Sequence, residues 1–284
     1  DVEFFDHSNV EECRERVQGG ADAVVIDWID PNSFLDSMKN PSLLALMSTG
    51  YSWIDTKKAR ELGISVSNVP GYAAQAVAEH LIGLMLAVAR KIVIGDAGIR
   101  KGNKEKGYLN GIEMSGRRAG IIGLGNIGGC LARMLSGFGM EIYGYDVVPK
   151  DIQGVKNVSL DDLLRNSDIV FIVCDLNNGS RNMLNLEKLK LLKTSAILLA
   201  STWGVVDLGA ITEILKNKQI YGAGFDVAIE GGEIALPQDF IGLENVVLTP
   251  HIGYNTKEAK IRQVDICISN IEKYLAGKSE NIVN

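Results

Sequence analysis

The sequence predicts an α/β fold in which mostly parallel sheets are covered by helices, and three observations predict it. Short apolar runs bounded by turn residues alternate with helical patterns along the chain. A loop of the form G-x-G-x-x-G stands between one such run and a helical stretch. At 284 residues the chain is longer than one hydrophobic core usually serves, so two domains of roughly 100 to 180 residues are expected.

The chain opens abruptly on Val2 to Phe5, read as a strand, so a first strand or helix is expected to lie outside this sequence. Ala23 to Ile26, Ile64 to Ser67, Arg118 to Ile122, Glu141 to Tyr145, Ile169 to Cys174, Ala196 to Ala200 and Val246 to Leu248 are apolar runs of strand length. Ala73 to Ile94, rich in Ala and Leu and apolar on nearly every face, reads as one long helix. It should be buried within or between subunits, as a hinge helix and a candidate dimer element. Asn68-Val-Pro-Gly71 separates it from the first α/β block, because Pro70 restricts its predecessor and Gly71 permits unusual backbone angles. No internal repeat or low-complexity segment is visible.

Hydrophobic residues make up 46% of the chain and charged residues 23%, which is ordinary globular usage and argues against disorder. A net charge of -6 argues against a general nucleic-acid binder, because phosphate affinity needs a Lys/Arg surplus. Lys101, Lys104 and Lys106 read as a solvated loop. Cys13, Cys130, Cys174 and Cys267 have neither zinc-ligand nor disulfide-framework spacing, which fits a reducing cytoplasm and no metal. The longest apolar run, Leu81 to Ala89, ends at Arg90 and Lys91, well short of a bilayer span, so no membrane partner is expected. No signal-peptide pattern opens the chain.

In Gly120-Ile-Ile-Gly123-Leu-Gly125-Asn-Ile-Gly128 the last three glycines satisfy the loop pattern directly after a strand and before the helical run Cys130 to Gly137. Gly123 allows a tight turn, Gly125 lets the backbone approach a pyrophosphate, and Gly128 lets helix and strand pack closely. A dinucleotide diphosphate should sit over Asn126 and Ile127. The following strand ends in Asp146, 18 residues after Gly128. A carboxylate there accepts hydrogen bonds from ribose hydroxyls and repels a 2′-phosphate, which favours NAD over NADP.

With those residues placed, the chain resembles the D-isomer-specific 2-hydroxyacid dehydrogenases. The resemblance rests on Thr49-Gly-Tyr-Ser-Trp-Ile-Asp55, Gly63-Ile-Ser-Val-Ser-Asn-Val-Pro-Gly71, Ala76-Val-Ala-Glu-His80, the glycine loop, Gly222-Ala-Gly-Phe-Asp-Val227, Asn245-Val-Val-Leu-Thr-Pro-His-Ile-Gly253 and the closing Ile282-Val-Asn284. It implies two Rossmann-like, doubly wound parallel-sheet domains with a cleft between them. Residues 1–72 plus 254–284 would form a discontinuous substrate domain, and residues 73–253 the NAD-binding domain. It also implies a homodimer acting on a small 2-oxo or 2-hydroxy acid. Asp226 would bind the nicotinamide carboxamide, and the backbone around Gly50 would help hold the substrate carboxylate.

The resemblance makes His251, in Thr249-Pro-His251, the acid/base residue. The chemistry agrees, since hydride reaching a keto carbon leaves a developing alkoxide and an imidazolium can protonate it near neutral pH. The other two histidines read as a surface residue, His7, and as a hydrogen-bonded structural group in an apolar helix, His80. The family pairs its histidine with a glutamate, but five residues after Asp226 stands Gly231. Glu230 lies one residue earlier and Glu233 two later. Either carboxylate swings toward His251 on the paired glycines, with Glu230 nearest the expected register, or the segment is a solvated loop.

A larger departure lies in Leu199-Ala-Ser-Thr-Trp-Gly-Val-Val-Asp207, where the family carries an Arg-Gly turn. Matching from the preceding strand puts Trp203 at the arginine's place; matching back from Asp207 puts Thr202 there. Neither can grip a carboxylate through two charge-assisted hydrogen bonds. Losing one partner of such a pair typically costs roughly 2 to 5 kcal/mol. Lys57, Lys58 and Arg60 are the nearest replacement cations in sequence to the Gly50 loop, or are solvent-facing helix residues. Trp203, with Trp28 and Trp53, either lines an apolar substrate pocket or packs in a core. Thr202 is taken as a coenzyme contact. Two functions follow: a hydride-transferring enzyme with His251 as proton donor, or a coenzyme-binding sensor or scaffold that has lost turnover.

Overall fold

A computed structural model describes residues 2–6, 8–27, 29–39, 43–103, 105, 107–227 and 236–284. His7, Trp28, Lys104, Lys106, Glu230, Gly231 and Glu233, all singled out above, lie outside the described residues. The chain divides into two compact units, Asp1–Ala73 with Thr256–Asn284, and Ala74–Asn255.

In the first unit, helix α1 (Val10–Gln18) starts at a capping box. The Asn9 side chain accepts from the Glu12 N–H, and the Glu12 carboxylate accepts from the Asn9 N–H. Strands β1 (Ala23–Ile26) and β2 (Leu43–Leu46), helix α2 (Thr56–Glu61) and strand β3 (Ser65–Ser67) follow. The three strands form a parallel sheet in the order β1-β2-β3. The central β2 was not legible as a strand, because Leu-Leu-Ala-Leu shows no alternation and favours a helix by propensity. All four of its side chains are buried, which is how a strand covered on both faces reads. Val2 to Phe5, expected as a strand, is irregular and exposed, and pairs with no strand among the described residues.

The second unit opens with helix α3 (Ala74–Ala89). The single helix expected from Ala73 to Ile94 is in fact two. Lys91 takes a left-handed conformation (φ 54°), and a separate helix α4 (Ile92–Arg100) starts from it. Arg90 and Lys91 interrupt the apolar run at this break, but apolar residues resume at Ile92, so the pattern by itself reads as one helix. Strand β4 (Arg118–Ile122), helix α5 (Asn126–Ser136), strands β5 (Glu141–Tyr145) and β6 (Val155–Asn157), helix α6 (Leu160–Asn166) and strand β7 (Ile169–Ile172) come next. Helix α7 (Leu186–Leu189), strand β8 (Ile197–Ala200), helix α8 (Leu208–Lys216), strand β9 (Gly222–Asp226), helix α9 (Gln238–Ile241) and strand β10 (Val246–Thr249) complete the unit.

Its seven strands are all parallel, in the order β10-β9-β8-β7-β4-β5-β6. The chain winds outward from β4 to β6, then returns to build β7 to β10 on the other side. Strand order therefore reverses between β4 and β7, where such sheets leave a ligand crevice at their carboxyl ends. Period-two alternation distributes neighbours to opposite faces. Ile121, Phe171 and Leu199 pack with Leu81 and Met85 of α3 and Leu131 of α5, while Ile122, Ile172 and Ala200 pack with Leu163 of α6 and Ile211 of α8. Strand β9 escaped the sequence reading because Gly222 and Gly224 lower its strand propensity. A methyl group at Gly224 would stand 2.8 Å from a Leu199 side-chain carbon and 3.1 Å from the Leu84 Cβ, so glycine there lets α3 lie close on the sheet.

Helix α10 (Lys257–Leu275) returns the chain to the first unit. The Gln263 amide donates to the Met47 carbonyl, the Arg262 Nε to the Tyr72 carbonyl (2.9 Å), and the Asn270 amide to the Asn68 carbonyl (2.8 Å). The C-terminus then lies along β3, with the Val283 N–H donating to the Val66 carbonyl (2.9 Å). No helix among the described residues is long and apolar enough to cross a membrane.

Candidate functional site

The glycine loop joins β4 to α5 at the strand-order reversal. Gly123 has φ 99°, and a Cβ on it would stand 2.5 Å from the Cys174 backbone nitrogen, so neither its conformation nor its surroundings admits a side chain. A Cβ on Gly128 would stand 2.1 Å from the Gly123 carbonyl oxygen, so only glycine lets the first turn of α5 lie this close to the loop. Gly125 is different, because a Cβ on it would meet nothing within 4 Å. It is the N-cap of α5 and no side chain caps the helix. The first amides of α5 therefore face an open space with no intrahelical acceptor, an arrangement suited to a diphosphate. Asn126 and Ile127, expected beneath that group, occupy the first two positions of this helix.

Asp146 follows the last residue of β5. One of its oxygens accepts from the Leu124 N–H (2.7 Å) and the other from the Val148 N–H (3.2 Å). The carboxylate thus ties the glycine loop to β5, and each oxygen keeps a lone pair for a ribose hydroxyl.

At the far side of the sheet, β9 and β10 end in register on Asp226 and Thr249. Asp226 is only 3% exposed and its carboxylate is heavily used. Oδ1 accepts from the Thr249 hydroxyl (2.6 Å) and the Ile252 N–H (3.0 Å), and Oδ2 accepts from the Gly253 N–H (2.7 Å). The His80 imidazole on α3 lies 3.6 Å from Oδ1 and 2.8 Å from the Thr249 hydroxyl. Burial pushes the Asp226 carboxyl up, but His80, Thr249 and the two backbone amides more than reverse this and bring it down to about 2. Between Thr249 and these amides sits His251, exposed, with a left-handed φ of 53° and its ring edge-on to Tyr254 at 5.4 Å. A non-glycine residue in that region is strained by roughly 1–2 kcal/mol, and the grip of Asp226 on the next two amides holds it there. Because every strand is parallel, His251 and the glycine loop share the carboxyl edge of one sheet.

The turn after β8 carries Thr202, half-buried, and Trp203. The Trp203 ring packs edgewise on Phe225 (5.2 Å) and Phe240 (6.0 Å), against the core between the sheet and α8. Sequence reasoning missed Arg181, whose Nη1 comes within 3.9 Å of the position a Cβ on Gly204 would take, beside the turn that lacks the expected arginine. The two segments are held together by the Asn182 N–H donating to the Gly204 carbonyl (2.8 Å) and by a Leu184–Val206 bridge. That pairing is tertiary, and no local motif signals it.

In the first unit, the Gly50 carbonyl accepts from both the Ser48 hydroxyl (2.8 Å) and the Trp53 indole (3.1 Å). Asn32, another residue not anticipated, clamps the same loop. Its amide donates to the Trp53 carbonyl and its oxygen accepts from the Asp55 N–H, both at 2.8 Å. A Cβ on Gly50 would meet nothing within 4 Å. Of the replacement cations considered, Lys58 is paired with Asp36 at 2.5 Å, while Lys57 and Arg60 are exposed on α2. Among the described residues no group of three His, Cys, Asp or Glu is placed to hold a metal ion.

Comparison with known proteins places this geometry in context. Residues 82–253 match the family model described as the D-isomer specific 2-hydroxyacid dehydrogenase, NAD binding domain. The chain is 34% identical to a glycerate dehydrogenase of Methylorubrum extorquens, over 96% of this chain and 88% of that protein. Its fold superposes on an acyclic imino acid reductase in complex with NADPH and D-Arg with a TM-score of 0.88 and 31% identity, covering 99% of this chain and 91% of the other. The apo structure of D-lactate dehydrogenase from Escherichia coli superposes with a TM-score of 0.84 and 30% identity, again covering 99% and 91%.

Proposed function

Since the chain belongs to the D-isomer specific 2-hydroxyacid dehydrogenase family, we propose that it transfers a hydride between NAD(H) and a small 2-oxo or 2-hydroxy acid. The observation that carries this reading is His251: an exposed imidazole held in a strained conformation by a buried carboxylate, on the same sheet edge as an uncapped, glycine-opened helix N-terminus. When bound, NADH supplies the hydride. His251 donates a proton to the oxygen that becomes alkoxide as the keto carbon is reduced, and withdraws it in the reverse direction. Amides of Asn126, Ile127 and Gly128 hold the diphosphate, with Gly123 and Gly125 making room for it, and Asp146 holds the adenosine ribose. Thr202 contacts the coenzyme. Asp226 has one Oδ2 lone pair left for the nicotinamide carboxamide while anchoring the His251 loop. The substrate carboxylate is held by the backbone at Gly50, with Arg181 as the cation beside the Thr202–Trp203 turn and Trp203 offering one ring edge. Glu230, outside the described residues, is the carboxylate the sequence offers as partner of His251, and residues 1–72 with 254–284 act as the substrate domain.

The assembly in this reading is a homodimer in a reducing cytoplasm. Exposed Ile92, Val93 and Ile99 on α4 and four free thiols favour it. Light scattering on the purified protein tests the dimer.

A second reading is favoured by one observation, that Thr202 and Trp203 stand where the family's arginine is expected. In it the chain binds NAD as a sensor or scaffold without turnover. NADH consumption against a panel of 2-oxo acids, comparing the native protein with His251→Ala across pH, separates the two. Turnover lost in the variant upholds the enzyme; NADH binding without turnover in either protein upholds the scaffold.

A further inference from the structure

Four backbone and side-chain groups converge on Asp226, and only one of their donors comes from a distant element. His80, on α3, is 169 residues away in sequence from Thr249, yet its Nε2 lies 2.8 Å from the Thr249 hydroxyl oxygen. The protons in this chain can be assigned. An Asp226 carboxylate drawn down to about 2 has no hydrogen to give at neutral pH. The single hydroxyl hydrogen of Thr249 therefore goes to Asp226 Oδ1, 2.6 Å away. The Thr249 oxygen is left to accept, so His80 Nε2 must carry the hydrogen and donate it. The resulting chain is directional: His80 Nε2–H to Thr249 Oγ1–H to Asp226 Oδ1.

The same imidazole also lies close to the far side of the loop. A Cβ on Gly253 would stand 2.9 Å from Asp226 Oδ2 and 3.4 Å from His80 Cδ2. Gly253, two residues after His251, thus has its open side toward the His80 ring, while its amide and that of Ile252 are held by Asp226. The His80 side chain is only 20% exposed.

We propose that His80 is a positioning residue for the proposed reaction: through Thr249 and Asp226 it sets the orientation of the loop that presents the His251 imidazole. The inference rests on the dehydrogenase reading for its kinetic consequence, though not for its structural one.

The test uses the full chain with His80→Leu and His80→Gln. Gln places an amide N–H at a reach similar to that of Nε2 and restores the donor, whereas Leu fills space without one. Expected for His80→Leu is a fall in kcat of about 10- to 100-fold, the usual consequence of misplacing a catalytic group by an ångström or less. The NADH dissociation constant, read by fluorescence, stays within about threefold. His80→Gln recovers most of the lost kcat. The chain has three histidines, so their ring signals in an NMR spectrum are few, and those missing in His251→Asn belong to His251. These signals should shift in His80→Leu and return in His80→Gln. His251 signals and kcat unchanged in His80→Leu would overturn the proposal, as would a Gln variant no better than Leu. If the native protein reduces no 2-oxo acid, the dehydrogenase reading fails while the ring signals still decide whether His80 positions His251.

Discussion

Gly125, the N-cap of α5, and Gly128, in its first turn, stand three residues apart, and their replacement by alanine should have opposite consequences. At Gly128 the added methyl would sit 2.1 Å from the Gly123 carbonyl oxygen and 3.3 Å from an Ile121 methyl carbon. Ordinary carbon–oxygen contact needs more than 3 Å, so the start of α5 must move by about 1 Å from β4. Overpacking of this kind costs about 1–3 kcal/mol, and Gly128→Ala should lose that much in urea unfolding. At Gly125 the methyl would meet nothing within 4 Å, and φ −75° with ψ −156° is extended backbone that alanine adopts. Gly125→Ala should therefore keep its stability within about 0.5 kcal/mol. The space it fills is the one a diphosphate needs in order to reach the uncapped amides of α5. NADH affinity, titrated by fluorescence, should fall by tenfold or more, the worth of about 1.4 kcal/mol. A Gly125→Ala protein that binds NADH as the native one does would refute the placement of the coenzyme on this helix. A Gly128→Ala protein of native stability would refute the packing argument.

Three further outcomes are expected. Asp226 is drawn from its ordinary 3.8 to about 2, a difference worth about 2 kcal/mol. Because the folded value is depressed, that stability is present above pH ~4 and drains away as pH falls toward ~2; denaturant titrations should show Asp226→Asn less stable at neutral pH and flatter across that window. Arg181→Met should lower kcat/KM for 2-oxo acids by tenfold or more without changing NADH affinity, and an unchanged kcat/KM would leave the substrate carboxylate to backbone amides alone. Burial pushes the Cys174 and Cys267 thiols up to about 11, so iodoacetamide at pH 8 should label them far more slowly than an exposed thiol, as mass spectrometry of the labelled peptides will show.

Features that depend on neighbouring residues were legible in the sequence. Apolar runs at Arg118 to Ile122 and Ile169 to Cys174 announced buried parallel strands, and the spacing Gly123, Gly125, Gly128 announced a loop whose three glycines do three different jobs. His251 stood out because its surrounding motif is contiguous. The strand at Leu43–Leu46 did not, since four apolar residues without alternation satisfy a helix and a doubly covered strand equally well, and only the neighbours on either side of it decide. Nor did the break at Lys91, since a pair of cations such as Arg90-Lys91 is equally compatible with a continuing helix, and only the left-handed backbone of Lys91 redirects the chain.

Tertiary structure alone decided which polar groups meet. His80 read as a hydrogen-bonded structural group, and its partner Thr249 lies 169 residues away. Trp203 offered a pocket wall or a core residue, and the rings it meets, Phe225 and Phe240, come from later elements. Arg181 carried no local signal until chain pairing laid it beside Gly204. The physical reason is common to all three. Backbone preference and hydrophobic period act over a few residues and can be read along the chain, whereas a hydrogen bond or ring contact at the sheet's edge exists only once burial of the intervening core has brought distant segments together.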